Sequence, residues 1–131
     1  RCPSDPAAAG DYSPSYFVIT GSGAVFKGEA SPGCELITNR DGMSMTLMVV
    51  EAVNTGIQWM EPRDLSLDDL DKAFNVEAGK SMCSRHAHGA NVTYVDTHCM
   101  FLHDTIKQKT LRALFTYDGG EVINDDDVPS D

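Results

Sequence analysis

The sequence is short of positive charge: 131 residues carry ten Lys and Arg against twenty Asp and Glu, a formal charge of −10. Such a balance repels phosphate backbones and anionic surfaces within the Debye length, so nucleic acid is excluded as an expected partner. Long apolar runs are also missing. No stretch reaches the 18 residues of a membrane span, and no secretory leader is visible before Arg1, although Cys2-Pro-Ser-Asp-Pro reads like the interior of a longer chain. Catalytic signatures are absent too. There is no GxSxG elbow, HExxH, Walker A loop or GxGxxG, and Gly21-Ser22-Gly23 is too short to cradle a phosphate. With no site motif, an enzyme is not expected and no cofactor is implied. No CxxC pair occurs, which argues against a zinc ribbon or finger.

What is present suits one domain spanning residues 1–131, with 41% hydrophobic and 23% charged residues. Cys2, Cys34, Cys83 and Cys99 make an even set, consistent with four free thiols or with two disulfides in any of three connectivities. The pairing expected here is Cys83 with Cys99, which a hairpin brings together, and Cys2 with Cys34. Residues 1–15 hold three prolines among small and polar residues and read as an extended lead-in. At the other end, residues 125–131 read as an acidic, solvated tail, because Asp125-Asp126-Asp127 lacks the glycine turn and bidentate Glu of a calcium loop.

Between these ends the patterning predicts two short strands at 16–23 and 24–28 or one interrupted strand, further strands at 43–51 and 121–124, and mostly loop over 28–39. Asp41-Gly42 signals a turn, and residues 54–64 around the single Trp59 suit a strand leading into a loop. A short helix is expected from Ser66 through Phe74, on Leu67, Leu70 and Phe74. A clearer one is expected over 105–116, capped by Asp104 or Thr105 and stopped by Gly119-Gly120. Strands punctuated by turns, with two helical segments, give an α+β fold on an antiparallel sheet.

The densest stretch chemically is SRHAHGANVTYVDTHCMFL, residues 84–102. His86 and His88 would point the same way on an extended segment, with Asp96 or His98 as a third ligand, so these four are the candidate metal residues. Ser84 or Cys83 near His86 makes a nucleophile and base only by proximity in sequence. A strand-turn-strand explains more: 91–95 and 98–102 pairing across Asp96-Thr97, with Tyr94 facing Cys99 and Val92 facing Phe101. A two-residue type I′ loop wants positive φ at both positions, so Thr97 stands where Gly is expected.

Several stretches together resemble a large bacterial family of prepilin-type, processing-associated proteins, known by a His followed after nine residues by Asp-Gly. They are Arg85-His86, Gly89-Ala90-Asn91-Val92 and Asp96; Cys2-Pro-Ser-Asp; Asp41-Gly42-Met43-Ser44 through Val49-Val50-Glu51; and Thr110-Leu111-Arg112-Ala113-Leu114 through Gly119-Gly120-Glu121-Val122. Two departures stand out: Thr97 replaces the Gly after the Asp, and His88 replaces a Gly or small residue. The resemblance implies a pseudopilin-like head whose N-terminal anchor helix lies outside this sequence. Such a head would work outside the cytoplasm, inner-membrane anchored or built into a type II secretion or type IV pilus-like fibre, with other pilin-like subunits or secretion machinery as partners. His86 and Asp96 would then orient the hairpin, Asp41-Gly42 would form a turn, and Trp59 would anchor a core or an interface. The alternative reading is an extracytoplasmic module binding a cation or carbohydrate through His86, His88, Asp96 and His98, or through aromatics around Trp59 and Tyr12.

Overall fold

Two β-rich segments, YFVIT and LMVVE, form the centre of the sheet, where aromatic and β-branched side chains fit a half-buried pleat. The structure, a computed structural model, describes residues 1–6, 10–28, 31–68, 70 and 82–130. In chain order the elements are β1 (Tyr16–Thr20), α1 (Cys34–Thr38), β2 (Leu47–Glu51), β3 (Leu65–Ser66), β4 (Gly89–Tyr94), β5 (Cys99–His103) and α2 (Gln108–Phe115). One sheet runs β3-β1-β2-β4-β5. The α+β class holds, but the sheet is mixed, since β3 joins β1 in parallel while every other pairing is antiparallel.

One face of the sheet carries the core. Phe17 and Ile19 from β1, Leu47 and Val50 from β2, Ala90, Val92 and Tyr94 from β4 and Leu102 from β5 meet Leu111, Leu114 and Phe115 of α2. Period-2 alternation alone would put Leu47 with Val49. A register shift between Leu47 and Val49 against β4 breaks that parity, so Leu47 and Val50 are the β2 side chains buried in this core. Such a bulge re-aims the side chains that follow it, and here it turns Glu51 to the opposite face.

The hairpin pairs one residue out of the register its sequence suggested. Thr93 faces Cys99, Val92 faces Met100 and Asn91 faces Phe101. The loop is three residues, Val95 to Thr97, because Thr97 N–H donates to Tyr94 O at 3.0 Å and Tyr94 N–H to His98 O at 3.0 Å. Thr97 has φ +75°, the left-handed position that normally follows the turn in such a loop. A one-residue slip exchanges faces, so Tyr94 and Val92 lie in the core while Phe101 and Cys99 lie on the other side.

Other expectations shift for local reasons. The segment 28–39 is not all loop, since α1 forms there with Ile37 buried. Residues 43–45 form a short 3-10 turn ahead of β2, and 54–64 contain no strand. The helix expected over 105–116 starts at Gln108, because Ile106 N–H closes a turn on His103 O at 3.2 Å and neither Asp104 nor Thr105 caps. It ends at Phe115, with Thr116 extended, well before Gly119-Gly120. Of the helix expected from Ser66, Ser66 belongs to β3, and Asp69 and Phe74 lie outside the described residues. No strand forms at 121–124. The acidic end is no loose tail: Asp125–Asp127 make a 3-10 turn, Ser130 bridges Leu102, and His103 N–H donates to Pro129 O at 2.9 Å. No helix among the described residues is long and apolar enough to cross a membrane.

Candidate functional site

Behind the core, the other face carries a row of side chains across four strands, polar on the first three and closed by Phe101 on the fourth. Tyr16 pairs with Glu51, and Asn91 pairs with Phe101. Glu51 links the halves: its Oε2 accepts the Asn91 backbone N–H at 3.1 Å and the Asn91 side-chain amide at 3.0 Å. The Glu51 side chain has no exposed surface, and its Oε1 has no hydrogen-bond partner among the described residues.

Two loops close over this row. In Cys2-Pro-Ser-Asp a turn forms, with Asp5 N–H donating to Cys2 O at 3.0 Å and Pro3 in the position that favours it. The turn drives Cys2 into the protein, 3% exposed, while Asp5 accepts the Ser15 hydroxyl at 3.2 Å and pairs with Arg1 and Arg85 at 3.4 and 3.5 Å. From the other side, the Ser84 hydroxyl accepts His86 N–H at 3.0 Å and donates to Gly89 O, folding residues 84–89 into a tight loop. Gly89 is required where the loop enters β4, because a Cβ there would sit 2.5 Å from Leu102 O and from the Phe101 ring. His86 is thereby delivered edge-on to Phe101, ring centroids 5.9 Å apart.

The result is a convergence on one atom. His86 Nε2 lies 3.3 Å from Cys2 Sγ and 3.6 Å from Glu51 Oε1, and the three donor atoms all lie within 4.8 Å of one another. A nucleophilic triad needs the thiol on one ring nitrogen and the orienting carboxylate on the other. Here both address Nε2, so Glu51 cannot orient an imidazole that takes the Cys2 proton. Around the cluster, the Tyr16 phenol is pushed up to about 12 by burial, by the Glu51 charge and by its bond with Cys2, which keeps it a proton donor. Burial pushes the Cys83 thiol up, Arg85 opposes this, and Glu51 adds to it.

The histidines expected to share a site are separated. His88 lies at φ +63° with its side chain 83% exposed, 3.9 Å from Asp104. His98 bonds Asp96 at the hairpin tip, 2.5 Å from Nδ1 to Oδ1, and stacks on Tyr94 at 4.2 Å. Desolvation opposes ionisation of Asp96, but hydrogen bonds from the His98 side chain and backbone outweigh it and hold the carboxyl below its usual range. His86 lies nine residues before that loop, beyond the far end of β4, and its ring meets Cys2 and Phe101 instead of the turn; at the turn, Asp96 accepts His98 N–H at 3.2 Å.

Both expected disulfides are corrected, because all four cysteines are free. Cys99 sits opposite Thr93 at the tip, whereas Cys83 precedes the far end of β4, where Gly89 faces His103. Cys2 is buried against His86, while Cys34 is exposed at the start of α1. Trp59, at 66% exposed, lies outside the core. The sequence does not mark Cys2 and Glu51 as partners of His86, since they lie 84 and 35 residues before it and only the bulge turns Glu51 toward it. No protein-family model, curated protein or solved structure matches this chain.

Proposed function

We propose that the chain is the non-enzymatic head domain of a pseudopilin-like subunit, working at the bacterial cell envelope in a type II secretion or type IV pilus-like assembly. The observation that carries this reading is where the stretches behind the resemblance meet. Cys2 and Asp5, Glu51, Arg85 and His86, and Asn91 join in the one cluster described above. Asp41 and Gly119-Gly120 join in a second, where the Asp41 carboxylate accepts Gly119 N–H at 2.9 Å and Gly120 N–H at 3.0 Å. Residues matched by chance would scatter; these tie the start of the chain to the sheet and the segment after α2 to the turn before β2.

An anchor helix of the kind the resemblance implies would enter through residues 1–5, which are tied to the sheet by Cys2 and Asp5. Neighbouring pilin-like subunits would pack on the exposed patch of Tyr12, Trp59 and Met60, in which Trp59 N–H donates to Tyr12 O at 3.1 Å. The test is expression from the complete gene with a prepilin peptidase, followed by fractionation and oxidative cross-linking through Gln58→Cys, an exposed neighbour of Trp59. Envelope association, peptidase-dependent processing and a ladder of cross-linked multimers are expected. Unprocessed, cytoplasmic, strictly monomeric protein would rule the assignment out.

A further inference from the structure

We propose that Cys2, Glu51 and His86 form a binding site for one divalent transition-metal ion of the zinc class. The inference is independent of the pilin-like reading, since it rests on the side chains alone. Three observations carry it.

The first is distance. Ligand atoms bound to one tetrahedral ion at roughly 2.0–2.3 Å lie about 3.3–3.7 Å apart. Sγ to Nε2 is 3.3 Å and Nε2 to Oε1 is 3.6 Å, so these separations are edges of such a tetrahedron.

The second is the unpartnered Glu51 Oε1, fully buried and aimed at the cluster. An ion pair with His86 alone leaves it beyond hydrogen-bond length at 3.6 Å. A cation between the three donors satisfies Oε1 while Asn91 continues to hold Oε2, the outer partnership that ligating carboxylates normally have.

The third is donor chemistry. A thiolate, an imidazole and a carboxylate suit zinc-class ions and not the all-oxygen sites of calcium or magnesium. Binding releases the Cys2 thiol proton to solvent and leaves the thiolate on the ion. Three protein donors leave a fourth position for water. The partly exposed edge of His86, 29% accessible, provides the way in.

The test is titration of the untagged chain with Zn²⁺, then with Co²⁺ as a spectroscopic substitute. Expected are one ion per chain, a raised melting temperature, a thiolate-to-cobalt charge-transfer band, and one sulfur neighbour near 2.3 Å in zinc X-ray absorption. Cys2→Ser should abolish the band, and His86→Ala should weaken zinc binding at least about a hundredfold, since even outer partners of ligands are worth ten- to a hundredfold. His88→Ala and His98→Ala should bind as the parent does. Absence of stoichiometric uptake by folded protein, a zinc shell without sulfur, or a cobalt band that survives Cys2→Ser would each overturn the site. The absorption measurement uses the unmodified chain, so it decides even where a variant does not fold.

Discussion

Thr97 and His88, the two residues that depart from the resembled family, are both held in the left-handed region, at φ +75° and +63°. A β-branched residue is strained there because its Cβ crowds the following carbonyl, whereas Gly is not. Thr97→Gly should therefore raise stability by about 1 kcal/mol, after allowing for the freedom that Gly adds to the unfolded chain. Urea unfolding would show a higher midpoint with an unchanged slope; an unchanged or lower midpoint would mean that the turn does not feel the strain. His88 has a different standing. Its carbonyl accepts Asp104 N–H at 2.9 Å, so its backbone closes the end of the hairpin while its imidazole stays in solvent.

Among the elements, the segment after α2 is fixed by hydrogen bonds and not by apolar contact. Residues 118–122 are exposed, and Gly119 and Gly120 both donate to the single carboxylate of Asp41, which lies in the turn between α1 and β2. Asp41→Ala removes both hydrogen bonds and should cost about 1–2 kcal/mol, with Asp41→Asn losing less because one acceptor oxygen remains. Thermal unfolding of the two variants gives the ordering, and equal losses would show that the carboxylate's charge, and not its acceptor geometry, holds the segment. The same turn places α1 so that Ile37 joins Val25 and Tyr117 in a small second core.

At the scale of the whole molecule, a single sheet separates two functions of burial. One face supports stability through the core against α2, and the other collects the polar cluster at Glu51. The aromatic patch belongs to neither. Trp59 is 66% exposed and Met60 75%, so Trp59→Ser should change unfolding free energy by less than about 0.5 kcal/mol. If the patch is where subunits meet, adding Trp59→Ser to the Gln58→Cys chain should remove the multimer ladder in the envelope cross-linking assay; a variant that unfolds more easily but still assembles would reverse those roles.

The residues by themselves determined the α+β class, the hairpin ending near Thr97, the helix carrying Leu111, Leu114 and Phe115, and the turn at Asp41-Gly42. Each depends on local propensity or on periodicity within a dozen residues. His86 was also legible as chemically distinctive, but its partners were not. A one-residue bulge in β2 decides which face Glu51 occupies, and a proline turn 84 residues upstream of His86 decides that Cys2 is buried beside it. The slip of the hairpin by one residue likewise moved Phe101 to the face opposite Tyr94. Faces of a strand have period two, so a single inserted residue reverses them. Only the tertiary pairing records where that residue lies.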